Sequence, residues 1–237
     1  MEIFDYNAVL FDFDGVIIDS GADIASAVNS ILFRFGYKTL DEKLLISFVG
    51  NGARTLLSLT LESVGIDALT MQDTNPQKAD FQTFYEQYVL WYEQHAVEKT
   101  TLYEGTENLL QSLYNRNIAL AVVSNKPVAV TERILAHFNM RHFFDAVIGP
   151  ESVTHIKPHP ESLELAVSII EKKHGITLNK KNVLMVGDSA SDIIAGNAFG
   201  CKTCAVTAGL GDSHMLLREK ADITLSFAGE LCRLLPI

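Results

Sequence analysis

Short apolar runs alternate with segments of helical periodicity along most of this chain, and few folds satisfy that alternation. The runs occupy residues 7–13, 118–125, 146–149, 182–188 and 203–208, with a weaker one at 221–227. Apolar stretches this short, without polar alternation, suit strands buried on both faces, as in a parallel sheet. Residues 127–138, 160–174 and 189–199 carry helical spacing between the later runs. Pro127 suits a first helical turn, and Gly175 and Gly200 stand where the other two helices should stop. Strand–helix–strand repetition of this kind predicts an α/β fold, a Rossmann-like parallel sheet with helices on both faces.

The first interval breaks the rhythm. About a hundred residues separate the first two runs, where a crossover needs roughly a dozen. Helical patterns fill it at 22–35, 41–48, 53–63, 77–95 and 106–115, with the clearest loop at 71–80. The reading is a helical subdomain, residues 21–100, inserted into a core of residues 1–20 and 101–237. Its hinges are expected near 19–21 and 100–102. Phe84, Tyr88 and Trp91 recur at helical spacing and are expected to pack the inserted helices together.

Composition narrows the function classes. The 237 residues carry a formal net charge of −10, which argues against nucleic acid and anionic membrane as partners. No apolar run approaches the roughly 18 residues of a membrane span. The N-terminal stretch has neither a basic region nor a small-residue cleavage site, so the expected location is cytoplasmic. Cys201 and Cys204 form a CxxC, but no second ligand pair accompanies them and the stretch reads as a loop entering a strand. They are expected to be core thiols.

In parallel sheets, ligands gather at the carboxyl ends of the strands. The first run ends in Asp12 and Asp14, whose spacing of two would place both carboxylates on one face of a strand, with Phe11 and Phe13 opposite. Two such carboxylates repel unless a cation intervenes, which suits a metal plus a general acid or base. The second run ends in Ser124-Asn125-Lys126-Pro127. Ser124 and Asn125 could hold phosphate oxygens at a helix start, or simply cap that helix. After the third run, Lys157-Pro158-His159-Pro160 fixes the backbone around Lys157. The fourth ends in Asp188, with Asp192 one helical turn later, where acids also satisfy a helix N-terminus. Capping explains each feature in isolation. Four acids, a hydroxyl and a lysine on four consecutive strand ends together describe a phosphoryl-transfer site. A divalent metal and a few placed lysines would reconcile an acidic protein with an anionic substrate.

With these residues in place, the chain resembles the haloacid dehalogenase-like hydrolases. DFDGV resembles the first motif of that superfamily, VVSN the second, Lys157 the third and GDSASD the fourth, while the inserted helices resemble a type-1 cap. The resemblance implies that Asp12 attacks phosphorus and becomes an aspartyl-phosphate. Asp14 then protonates the leaving alkoxide and later activates water. Mg²⁺ is held by Asp12, Asp188 and the Asp14 backbone carbonyl. Lys157 offsets charge, Ser124 and the Asn125 N–H hold phosphoryl oxygens, and Asp192 orients Lys157 or metal-bound water. Dehalogenases of the superfamily lack the second acid, so Asp14 points to phosphate chemistry.

The stretches containing VGNGAR (49–54) and those between 85 and 127 resemble bacterial phosphoglycolate phosphatases. By that resemblance the partner is a small phosphorylated metabolite, 2-phosphoglycolate, and Arg54 is a candidate for its carboxylate. Val16 stands where those enzymes usually have Thr, and DGV also occurs in β-phosphoglucomutase-like relatives, so a sugar-phosphate mutase is the alternative. A non-catalytic phospho-ligand module would more plausibly have lost one of Asp12, Asp14 and Asp188.

Overall fold

The structure, a computed structural model, describes residues 6–68 and 80–234. The first five residues and most of the expected 71–80 loop lie outside them.

Six parallel strands form the sheet: β1 (Ala8–Phe11), β4 (Ala119–Val123), β5 (Ala146–Ile148), β6 (Val183–Gly187), β7 (Lys202–Val206) and β8 (Ile223–Leu225). Their order is β5-β4-β1-β6-β7-β8, which places β1 between β4 and β6. Phe11 pairs with Val122 on one side and Val186 on the other, so the three central strands end level. Every expected run is therefore a strand that ends one or two residues early; β5 starts where expected, β7 one residue before, and the others one or two residues after.

Alternation along the strands builds two cores. Val9, Phe11, Leu120, Val122, Leu184 and Val186 face one, and Ala8, Leu10, Ala121, Val123, Val183 and Met185 face the other. Helices α5 (Thr106–Asn115) and α6 (Val128–His137) cover the first face, while α7 (Glu161–His174) and α8 (Ala190–Phe199) cover the second. The connections leaving the neighbouring strands β1 and β6 thus run to opposite faces, which opens a crevice above their carboxyl ends. Gly175 and Gly200 close α7 and α8 in the left-handed conformation, at φ 65° and 91°, as expected of helix stops. A four-residue helix, α9 (Ser213–Leu216), lies between β7 and β8.

Between β1 and β4 lie α1 (Gly21–Arg34), α2 (Glu42–Ile46), α3 (Ala53–Ser63) and α4 (Phe81–His95). They are bracketed by an antiparallel ribbon of β2 (Ile18–Asp19) and β3 (Thr101–Leu102), which the sequence did not announce. Beside that ribbon, the buried Asp23 carboxylate accepts from the backbone N–H groups of Lys99 and Thr100 and from the Thr100 hydroxyl, at 2.8–3.0 Å. This fastens the start of α1 to the segment leaving α4. Phe84 and Tyr88 are buried as expected, whereas Trp91 is only half-buried and stacks on His95 at 4.1 Å.

Cys201 and Cys204 are buried on opposite faces of the sheet. Burial pushes their thiols up to about 11 and about 12, so they are inert core groups. Among the described residues, no helix is long and apolar enough to cross a membrane.

Candidate active site

The first acid pair is brought together by a turn rather than by strand pleating. β1 ends at Phe11, and the amides of Ile17 and Ile18 fold back onto the Phe13 carbonyl. Gly15, at φ 79°, supplies the left-handed residue this turn needs. Asp14 therefore sits in a loop, which corrects the expectation of two carboxylates along one strand face. Both acids still line one cavity.

Around Asp12 the charges are buried and dense. Lys157 Nζ lies 3.1 Å from Asp12 Oδ1 and 2.6 Å from Asp192 Oδ1, and it also donates to the Val123 carbonyl at 2.6 Å. Asp192 is fully buried, and its Oδ2 accepts from the backbone and hydroxyl of Ser189. One carboxylate thus caps α8 and orients Lys157. Asn125 fixes Lys157 from another side: its side-chain amide exchanges hydrogen bonds with the Lys157 carbonyl and N–H at 3.1 and 3.2 Å. The loop beyond is anchored by Glu161, whose carboxylate accepts from the amides of Thr154 and His155 and contacts the His155 ring.

Asp188 follows β6 and is cradled by glycines. Its Oδ2 accepts from the backbone N–H groups of Leu210 and Gly211 at 2.7 and 2.9 Å. A Cβ on Gly15 would lie 1.8 Å from that oxygen, and one on Gly209 would lie 2.4 Å from it. The cradle comes from the Gly209-Leu210-Gly211 stretch after β7, and its signal in the sequence was the paired glycines at a strand end.

Ligand oxygens of Asp12, Asp188 and Asp192 lie within 4.8 Å of one another. Burial pushes Asp12 up to about 6; Lys157 opposes this, while Asp192 and Asp14 add to it. Burial pushes Asp188 well above the ordinary carboxylate range, reinforced by Asp12 and Asp192. Burial works against the Lys157 charge, yet Asp12 and Asp192 outweigh it and hold its pKa above the ordinary lysine range. Asp12 Oδ1 is buried and receives no well-directed hydrogen bond, since the Lys157 contact is an ion pair of poor angle. Asp12 Oδ1, buried among carboxylates that repel it and without a well-directed donor of its own, is the kind of oxygen a hard divalent cation takes.

The cavity over these groups leaves about 50 Å³ open to the centre of a water-sized molecule. Its floor is Asp12, Asp14, Ser124, Asn125, Lys126 and Asp188. Its roof comes from the inserted helices: Ile24 of α1, Ala53 and Leu56 of α3, and Tyr88 and Tyr92 of α4, with Gly50 and Gly52 leading into α3. Tyr88 both packs and lines, a dual role the packing expectation missed.

Arg54 is not part of this lining. It is exposed, donates to Gln82 at 2.7 Å and lies 4.3 Å over the Tyr85 ring, in a separate groove with Glu86 and Glu93. Helical phase explains it: Ala53 and Leu56 share the inward face of α3, and a residue one step from Ala53 turns about 100° away. Val16 is fully buried in the core and is likewise absent from the lining.

Residues 9–206 match the sequence profile of the haloacid dehalogenase-like hydrolase family. The chain belongs to that family. Among its relatives is a phosphoglycolate phosphatase of Haemophilus influenzae, 32% identical over 204 residues that cover 86% of this chain and 87% of the relative. Another, from Neisseria meningitidis, is 32% identical over 214 residues, covering 90% and 86%. A solved structure described as a predicted phosphoglycolate phosphatase from Haemophilus somnus superposes with a TM-score of 0.83 at 26% identity, covering 98% of this chain and 99% of that one. This haloacid dehalogenase-like hydrolase is a phosphatase.

Proposed function

We propose that this phosphatase hydrolyses small phosphate monoesters through a covalent phosphoryl group on Asp12, and that its substrate is 2-phosphoglycolate. The observation that carries the reading is the buried set of Asp12, Asp188, Asp192 and Lys157 beneath a small cavity that also presents Asp14.

The donor set fits Mg²⁺: Asp12, Asp188 and the Asp14 backbone carbonyl would hold the ion, and it would supply positive charge to offset that of the phosphoryl oxygens. Asp12 attacks phosphorus in line and forms the phosphoester bond of the intermediate. Asp14 gives its proton to the leaving alkoxide oxygen and then takes one from the water that hydrolyses the intermediate. Lys157 stays protonated throughout and offsets the charge gathered at Asp12. Ser124 and the Asn125 N–H bind phosphoryl oxygens. Asp192, which touches Lys157 and Ser189, orients Lys157.

Residues 21–100 serve as the cap of this site, because α1, α3 and α4 supply its roof. The N-terminal end of α3, at Gly52 and Ala53, faces the cavity and favours a carboxylate there. The test is phosphate release from 2-phosphoglycolate beside sugar phosphates and nucleotides, with Mg²⁺ and with EDTA. Preferred, EDTA-sensitive turnover of 2-phosphoglycolate is expected. Preference for a sugar phosphate would discard the substrate.

A further inference from the structure

Asp14 is gripped by one oxygen. Its Oδ1 accepts from Lys126 Nζ at 2.8 Å and from the Ser20 hydroxyl. Lys126 also donates to the Tyr92 hydroxyl at 2.5 Å, with Nζ 4.4 Å from that ring's centroid. Lys126, Tyr92 and Ser20 are all buried. The four residues come from four places: the turn after β1, the start of α1, helix α4 and the end of β4.

Burying an ammonium costs about as much as its partners return, so such a pair is a poor stability device. It does fix geometry. A carboxylate held at Oδ1 by two donors presents Oδ2 in one direction, and Asp14 lines the cavity where the ester sits. Tyr92 lines it too, from the inserted helices, so the grip on Asp14 includes a residue of the roof.

We propose that Lys126, seated by Tyr92, is a positioning residue that holds Asp14 Oδ1 and aims Oδ2 at the leaving oxygen, so that proton delivery depends on α4 being in place. The inference rests on Asp14 being the general acid. As the Asp12–phosphorus bond forms, the bond from phosphorus to the leaving oxygen breaks. The Oδ2 proton passes to that oxygen, and the resulting carboxylate keeps Lys126 as its counter-charge. Lys126 itself neither gains nor loses a proton. The arrangement makes the acid competent only when the roof is seated, which is also when water is excluded.

Leaving-group dependence tests this. An alkoxide needs a proton to depart, whereas p-nitrophenolate does not. Single-turnover rates are measured for 2-phosphoglycolate and p-nitrophenyl phosphate with wild type, Lys126→Met, Lys126→Arg and Tyr92→Phe, after thermal melts show which variants fold. General acids contribute about 10²–10⁴-fold. Lys126→Met should therefore lose about 10²-fold or more on the alkyl ester and under about tenfold on the aryl ester. Lys126→Arg should restore part of the difference, and Tyr92→Phe should show the same selectivity at about tenfold. In an Asp14→Asn background, Lys126→Met should add nothing. Equal losses on both esters, or additivity with Asp14→Asn, would overturn the proposal. An unselective Tyr92→Phe would overturn the dependence on α4, and this variant keeps the test decisive if Lys126→Met does not fold. Wild type inactive on both esters would instead refute the phosphatase reading on which the proposal rests.

Discussion

Removing the Asp12 charge should stabilise the metal-free protein while destroying its activity. Asp12 rises from an ordinary 3.8 to about 6, with burial the largest cause. Each unit is worth about 1.4 kcal/mol, so ionised Asp12 costs roughly 3 kcal/mol of folding free energy at neutral pH. The sign follows from the direction of the shift. A raised folded-state pKa favours folding below the unfolded value, and that advantage is lost as pH rises from about 4 through about 6. Asp12→Asn removes the charge and leaves Lys157 its 2.6 Å contact with Asp192. A chain of this size moves its melting temperature by about 2–4 °C per kcal/mol. In EDTA at pH 7.5, Asp12→Asn should therefore melt roughly 6–12 °C above wild type, and at pH 5 the gap should fall to about half. A cation at a hundredfold over its Kd adds about 2.7 kcal/mol. Mg²⁺ should then raise wild type by a similar margin at pH 7.5, less at pH 5 where protons compete, and leave Asp12→Asn nearly unmoved. Melts followed by circular dichroism read all of this. The reasoning fails if Asp12→Asn is less stable than wild type in EDTA at both pH values, or if Mg²⁺ raises both proteins equally.

Other substitutions separate the remaining parts. Gly15→Ala, whose new Cβ would meet Asp188 Oδ2, should weaken Mg²⁺ activation at least tenfold while Gly36→Ala, in open space, leaves it unchanged; titration of activity with Mg²⁺ decides. Asp23→Ala strips three donors of their buried acceptor and should cost about 2–4 kcal/mol in urea unfolding; a loss under about 0.5 kcal/mol would refute its role as a clasp. Arg54→Ala should change kcat/KM for 2-phosphoglycolate by no more than about twofold, since Arg54 is exposed and outside the cavity; a tenfold rise in KM would restore it to the site.

The sequence announced the chemistry at the strand ends more clearly than the contacts between distant segments. Runs such as LAVVSN and VLMVGD declare themselves because a buried parallel strand must be apolar along its length and can turn polar only where it leaves the sheet. That break marked Asp12, Ser124 and Asp188. Lys126 was written beside Ser124, but its partner Asp14 stands 112 residues away, and nothing local tells a lysine which carboxylate it meets. The β2–β3 ribbon was invisible because two-residue strands carry no periodicity. Arg54 was proposed on residue type; the structure puts it outside the cavity that Ala53 and Leu56 line, because helical phase turns it away from them. Asp14 was reached by the wrong geometry, since the strand ends at Phe11 and Gly15 serves the turn that follows, yet Asp14 lines the same cavity. The glycines around Asp188 were equally visible in the sequence, but their purpose depends on a carboxylate that only the folded sheet brings beside them.

The central claim is that Asp12 carries the phosphoryl group. The most direct measurement mixes enzyme with excess 2-phosphoglycolate and Mg²⁺, quenches within the first turnover, reduces with borohydride and maps peptides by mass spectrometry. An acyl phosphate on Asp12 would be reduced to homoserine at position 12, and that mass change should appear only with substrate and metal together and vanish in Asp12→Asn. Reduction at another carboxylate, or undiminished turnover by Asp12→Asn, would contradict it.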